Sequence, residues 1–367
     1  MLQNFLIAVA VTNLTVILGY SIYFFSKLTF FKSKKTAFNK PVSIIICAKN
    51  EADNLTKYLP AVLEQNYSEF EVVVVNDQSL DLTADILKSF KGKYPNLVVV
   101  TIEQHINHRP GKKFALTIGI KTAKHEHLLL TDADCLPNSN NWAKGMLDGF
   151  NDSEIILGYG AYERKKGLLN KIIRFDTFNV AQQYLSYALA GFTYMGVGRN
   201  MAYKKSLFFE NKGFAKHLHI PSGDDDLFIQ EIAPKSTVAI EINNETHTTS
   251  AVIESWKEWA YQKRRHITTA PLYKTKFKVL LSLYPYAQLL FWIAIVLLFI
   301  LKAPLLFSIT LLSIKLFTSY LINYNSMKRL NVMDLYWVHP LYEIAHLLVQ
   351  VFFVLLNLFK KPKKWRR

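Results

Sequence analysis

The sequence predicts an α/β protein with a mostly parallel sheet, carried between apolar segments long enough to enter a membrane. Three observations lead there. Uncharged apolar runs gather at the two ends of the 367-residue chain. Between about Lys40 and Pro271, short runs rich in Val and Ile alternate with amphipathic stretches. Acidic residues then collect where those short runs stop, the rim at which open parallel sheets bind their ligands.

The N-terminal run, Leu2 to Phe25, has no charged residue and is long enough for a helical crossing. A cleaved signal would place positive charge before the apolar run, whereas the first lysine, Lys27, follows it. Residues 1–30 therefore read as an uncleaved anchor. Lys27, Lys32, Lys34 and Lys35 put its far side in the cytoplasm.

Residues 41–270 read as the catalytic domain. Expected strands are Val42 to Cys47, Phe70 to Val75, Leu97 to Ile102, His127 to Thr131 and Glu154 to Leu157. Expected helices run from about Asp53 to Gln65, Asp81 to Lys91, Lys112 to Lys124 and Asn140 to Phe150, with a longer one from Leu168 to Leu189. Asp53 and Asp81 look like helix caps.

Residues 276–360 read as a C-terminal membrane region with two or three crossings. Val279 to Leu301 is uncharged, Pro304 to Tyr324 carries Lys315, and a third segment begins near Tyr336 with His339, Pro340, Glu343 and His346. The basic tail K-K-P-K-K-W-R-R occupies 360–367. Three crossings would carry that tail outside, against the positive-inside rule; either one segment is re-entrant or interfacial, or the rule fails here, and the number of crossings stays open.

The formal net charge is +16. With membrane segments present, it fits a surface facing anionic headgroups and phosphorylated substrates, and no nucleic-acid-binding module is visible. The two cysteines, Cys47 and Cys135, lie far apart without metal-ligand spacing, as expected of buried residues in a reducing compartment.

Three strand ends carry acids: C-A-K-N-E (Cys47 to Glu51), N-D-Q-S-L-D (Asn76 to Asp81) and T-D-A-D-C (Thr131 to Cys135). Asp132 and Asp134, separated by one residue, can reach one hard divalent cation, Mg²⁺ or Mn²⁺, which shares oxygen ligands with substrate phosphates. Their structural alternative is helix capping.

These stretches, with P-V-S-I-I-I before the first and G-K-K-F-A-L-T-I-G between the others, resemble the nucleotide-sugar half of family 2 glycosyltransferases, whose fold is called GT-A. The family usually reads D-D-G-S at the second strand; here Asn76 and Gln78 depart from it and Asp77 is kept. The resemblance implies that Asp77 and Glu51 hold the nucleoside of a UDP- or GDP-linked sugar. It implies that Lys112 or Lys113 lies near the donor, that Asp132 touches it, and that Asp134 binds metal.

Such a transferase also needs a base, and S-G-D-D-D-L-F (Ser222 to Phe228) supplies three adjacent aspartates. Their mutual repulsion raises at least one pKa, which suits general-base work; an acidic helix N-terminus is the bland counterpart. Matching the family's glutamate-aspartate pattern makes Asp224 the base with Gly223 in place of glutamate. A shift of one residue makes it Asp225.

Gly196 to Tyr203 (G-V-G-R-N-M-A-Y) lies where the family forms the floor of its acceptor site. W-K-E-W-A-Y-Q-K-R-R-H (Trp256 to His266) resembles the family's Q-x-x-R-W motif through Gln262 and Arg265, with His266 in place of tryptophan. That departure weakens a polymer-synthase reading, and a basic interfacial helix anchored by Trp256 and Trp259 is the alternative role.

The resemblance thus implies an inverting, metal-dependent transfer to a lipid or glycan acceptor at the cytoplasmic membrane. Two rivals remain in view. A nucleotidyltransferase would carry a glycine-rich, arginine-containing loop where C-A-K-N-E stands. A catalytically silent subunit of a polysaccharide synthesis or export complex would have lost acids such as Asp77, Asp134 and the Asp224 cluster.

Overall fold

A computed structural model of the chain describes residues 1–33, 36–103, 111–220, 222–302 and 304–359. Lys34, Lys35 and the basic tail 360–367 lie outside the described residues.

The strands are β1 (Val42–Ala48), β2 (Phe70–Asp77), β3 (Leu97–Ile102), β4 (His127–Asp132), β5 (Cys135–Pro137), β6 (Ile155–Leu157), β7 (Gly160–Tyr162), β8 (Met201–Lys204), β9 (Val238–Ile240) and β10 (Thr248–Ser250). Seven of them form one sheet in the order β3-β2-β1-β4-β8-β6-β9. Within it β8 runs antiparallel to both neighbours and the other adjacent pairs are parallel. A three-stranded sheet, β5-β10-β7, packs beside it.

The helices of the soluble part are α3 (Ala52–Leu63), α4 (Thr83–Lys91), α5 (Lys112–Thr122), α6 (Trp142–Leu147), α7 (Leu168–Leu189), α8 (Lys205–Glu210), α9 (Asp226–Ile232) and α10 (Trp256–Ile267). Before them come α1 (Leu2–Tyr20) and α2 (Ser26–Thr29), joined by a π-helical turn at Ser21–Phe25. After them come α11 (Thr275–Ile300), α12 (Leu305–Arg329) and α13 (His339–Phe359).

The central strands read as unbroken apolar runs because both of their faces are covered. Alternate side chains serve different cores. Ile45, Val73, Val75, Leu128 and Leu130 face the layer holding α5 and α7. Val42, Ile44, Ile46, Val72, Val74 and Leu129 face the layer of α3 and α6. Each such side chain contributes about 1.5–3 kcal/mol when fully buried. Helix α5 comes so close to the sheet that a Cβ on Gly119 would lie 2.9 Å from Ile45 Cγ2 and 3.0 Å from Val75 Cγ2.

Among the described residues, four helical segments are long and apolar enough to cross a membrane: Leu2–Thr29, Thr275–Ile300, Leu305–Arg329 and Met333–Asn357. Leu6, Ala10, Leu14 and Ile17 of α1 pack lengthwise on Ala287, Phe291, Ala294 and Leu298 of α11, with small residues allowing close approach.

Two local expectations change. Asp53 sits inside the first turn of α3, whose N-cap position is Glu51, so it does not cap. Cys47 is only half-buried and lines a small pocket beside Asp132, because it lies next to that residue in the sheet register.

Candidate active site

Strands β1, β2 and β4 run in one direction and end at one rim. Cys47 lies opposite Asp132, and Ala48 opposite Asn76. The loops after β1 and β2 turn sharply, with Asn50 and Gln78 both at φ 55° in the left-handed region. They are sewn together. The Asn50 amide donates to Ser79 Oγ (2.9 Å), the Leu80 amide to Asn50 Oδ1 (2.8 Å), and the Glu51 amide to Thr83 Oγ1 (2.9 Å). Asp81 accepts from Ala52 N (3.2 Å) and Thr83 N (3.1 Å), so it bonds the first residue of α4, whose N-cap position is Leu82, and holds α3 as well. Burial opposes its charge, but the bonds from Thr83 and Ala52 outweigh it and keep the carboxyl below its usual range. The arrangement presents Glu51, itself bonded to Asn54 Nδ2 (2.5 Å), and Asp77 as buried acids.

Lys112, first residue of α5, is the hub. Its Nζ stands 2.8 Å from Asp132 Oδ1 and 3.2 Å from Asp224 Oδ2, joining the tip of β4 to the aspartate triplet. Burial disfavours the ammonium, yet the charges of Asp132, Asp224 and Asp225 overcome this and hold it protonated. Burial likewise opposes the Asp224 carboxylate, and Lys112 reverses that, leaving Asp224 below the ordinary range. Asp225 is pushed up to about 7 by burial and by the charges of Asp224 and Asp226. Its Oδ1 accepts from Asp226 N (2.8 Å) and caps α9; its Oδ2 accepts from Gly198 N (3.2 Å). A Cβ on Gly198 would approach Lys112 Nζ to 3.3 Å, so glycine leaves room for the hub. Asp226 faces elsewhere. Its Oδ2 accepts from Thr269 Oγ1 (2.5 Å) and Tyr273 Oη (2.6 Å), in the segment that leads into α11.

Adjacent residues need not act together. Lys113 Nζ lies 2.7 Å from His217 Nδ1 and donates to the carbonyls of His217 (2.5 Å) and Ile220 (3.1 Å), which fixes the loop ahead of the triplet. Burial brings its ammonium down to about 8. Lys112 is therefore the lysine that the structure joins to Asp132.

Asp134 lies in the turn after β4, where Cys135 Sγ donates to its Oδ1 at 3.6 Å. Among the described residues, no three or more His, Cys, Asp or Glu side chains converge as a metal cage. The two carboxylates of the D-A-D stretch suit a cation that takes its other oxygens from phosphate and water.

Gln262 Oε1 accepts from Tyr162 Oη (3.2 Å), which brings α10 to β7. The Arg199 guanidinium lies over the Tyr162 ring at 4.7 Å, and its Nη1 donates to Ser250 Oγ (3.2 Å). Arg265 Nε is buried without a hydrogen-bond partner among the described residues. Arg199 is the residue that sequence reading passed over. Its signal was faint: a lone cation inside G-V-G-R-N, whose partners Tyr162 and Ser250 are distant in the chain.

Residues 43–210 match the family model described as glycosyl transferase family 2. Glycosyltransferase AglE of Haloferax volcanii is 35% identical over 107 residues, 29% of this chain and 34% of that protein. The poly(ribitol-phosphate) beta-glucosyltransferase of Bacillus spizizenii is 28% identical over 192 residues, 51% of this chain and 28% of that protein. The matched stretches thus span about a third or less of either curated relative. Among solved structures, a mannosyltransferase from Pyrobaculum calidifontis in complex with GDP-Man and Mn²⁺ superposes with a TM-score of 0.59 at 18% identity. That superposition covers 95% of this chain and 99% of the other, a likeness of fold. The matched residues include the rim that carries Asp77, Lys112 and Asp132 on a GT-A sheet, so the stretch of the chain that resembles glycosyl transferase family 2, residues 43–210, is the stretch that builds this rim.

Proposed function

We propose that this chain is a membrane-bound inverting glycosyltransferase that moves a sugar from a UDP- or GDP-linked donor to a lipid or glycan acceptor. The observation that carries the reading is the Lys112 bridge between Asp132 and Asp224, set beside an aspartate triplet tied to the segment entering α11. Donor rim, candidate base and membrane approach are thereby contiguous, which favours an acceptor presented at the bilayer surface.

Glu51 and Asp77 hold the nucleoside in this reading. Asp132, Lys112, Gln262 and Arg265 receive the sugar diphosphate, the arginine through the paired donors of its guanidinium. Asp132 and Asp134 would hold Mg²⁺ or Mn²⁺, which supplies charge neutralisation at the leaving diphosphate. The acceptor oxygen attacks the anomeric carbon as the bond from that carbon to the diphosphate oxygen breaks, and the acceptor proton passes to a carboxylate. Asp225 suits this step better than Asp224. Its raised value matches neutral pH, whereas Lys112 lowers the basicity of Asp224. Lys27 and Lys32 after α1 favour a catalytic domain on the cytoplasmic face of the cytoplasmic membrane. The divisions 1–30, 41–270 and 276–360 then correspond to anchor, transferase and membrane region.

The test is release of nucleoside diphosphate from a panel of nucleotide sugars, with solubilised protein, Mn²⁺ or Mg²⁺ and a membrane lipid extract. Wild type is run beside Asp134→Ala, Asp224→Asn and Asp225→Asn. Release from one donor, abolished in Asp134→Ala and Asp225→Asn, is the expected result. Folded wild-type protein that releases nothing from any donor, with lipid supplied, would favour the silent structural subunit instead.

A further inference from the structure

Helix α13 differs from the other long apolar helices in what it touches. Its first half carries His339, Pro340, Glu343 and His346, and it turns strongly apolar only from Leu347 onward. That leaves fewer residues than the ~20 that a crossing helix uses.

Its packing is also different. It meets the bundle of α1, α11 and α12 near its start, where His339 Nε2 lies 2.9 Å from Ser319 Oγ and Glu343 takes both a Lys315 salt bridge and a bond from Gln288. Its partners then change to helices of the soluble domain. The Tyr342 ring lies 5.7 Å from Phe175, and His346 Nδ1 lies 3.3 Å from Asp176 Oδ1. Phe353 packs on Trp259 at 5.6 Å and clusters with Ile173, and Asn357 Oδ1 accepts from Arg264 Nε at 2.8 Å. From Tyr342 to Phe353 its contacts on α7 stay within Ile173–Asp176, so α13 crosses that helix and goes on against Trp259 and Arg264 of α10.

The other end of α7 fixes the level of this pair. Gln182 Nε2 donates to Asn323 Oδ1 at 2.7 Å, and Tyr187 packs on Phe24, near the domain-side ends of α12 and α1. Helix α7 thus passes beneath the bundle, and α13 leaves the bundle across it, its far end still held by Arg264 of α10. Its outer stripe, Leu341, Leu348, Phe352, Leu355 and Phe359, is exposed, while His339, His346, Phe353 and Asn357 on the other side are buried.

We propose that α13 lies in the plane of the membrane, at the boundary between headgroups and acyl chains on the catalytic domain's side. Lipid covers its exposed stripe, which continues the apolar surface of the crossing helices. The chain then crosses three times, and K-K-P-K-K-W-R-R remains on the domain's side, where anionic headgroups complement it.

The experiment places single nitroxide labels at L341C, L348C and L355C in the full chain, reconstituted in phosphatidylcholine–phosphatidylglycerol vesicles, with unsubstituted protein as the blank for the native cysteines. Depth is read from relaxation by oxygen against a water-soluble nickel complex. An in-plane helix puts the three labels within about 5 Å of one depth. A crossing helix spreads them over ~20 Å, at 1.5 Å per residue, and that spread overturns the proposal. An epitope appended after Arg367 gives an independent reading. It should be open to antibody in sealed vesicles whose catalytic domain is open to added protease, and its protection there would equally sink the idea.

Discussion

At the scale of single residues, the ammonium of Lys112 and the three carboxylates beyond it form one electrostatic unit. Asp225→Asn should lower turnover by about 10²–10⁴-fold, the usual effect of losing a general base, while leaving the donor KM close to wild type. In wild type, turnover should rise as pH passes through about 7 and Asp225 loses its proton. The stability effect has the opposite sense. The folded value lies above that of an unfolded aspartate, so between ~4 and about 7 the native chain holds a proton that the unfolded chain has released, and this contribution is lost as pH rises. Asp225→Asn should therefore raise the melting temperature clearly at pH 8 and much less at pH 5, where only part of the cost is present; equal shifts at both would contradict the assignment. Lys112→Met leaves Asp132 and Asp224 without their shared counter-ion and should cost about 1–3 kcal/mol in denaturant titrations. The acids were legible in the sequence because they sit where strands stop. The division of labour between Lys112 and Lys113 was not, since consecutive residues on a helix point about 100° apart and only tertiary contacts select one.

At the scale of elements, α5 ties the hub to the sheet through contact distance. Gly119 lets the helix rest on Ile45 and Val75, and a larger side chain must lift it. Gly119→Val should destabilise the fold by about 1–3 kcal/mol through overpacking, and thermal unfolding in detergent measures it. Strands β1 to β4 and their helices could be read because each apolar run is long enough to declare its period. Strand β8, with four residues, and β5, β7, β9 and β10, with three each, are too short for that. The site's far wall, including Arg199 and Gly198, was therefore visible as a motif but not as structure.

At the scale of the whole molecule, the apolar ends of the chain come together through α1 and α11, and a buried ion pair fastens two helices of the C-terminal end. Lys315 Nζ bonds both Glu343 oxygens, at 2.8 and 2.7 Å, and links α12 to α13. Lys315→Met alone strands a buried carboxylate and should cost about 3–5 kcal/mol, whereas adding Glu343→Gln should recover most of the loss; a double-mutant cycle on detergent-unfolding curves tests this. The apolar runs announced this assembly, but not which surface each would cover, because helix length and composition carry no direction. One connection has a mechanical meaning. Asp226 is held by Thr269 and Tyr273, and the Lys274 amide donates to Gln230 Oε1 of α9 at 2.7 Å, immediately before α11 begins. The aspartate triplet and the root of that helix are therefore tied like the two arms of a lever. A tilt of α11 in a thinner bilayer should then reach the acids through the hinge of a helix, and turnover compared between short-chain and long-chain lipid vesicles checks whether lipid thickness throttles the chemistry.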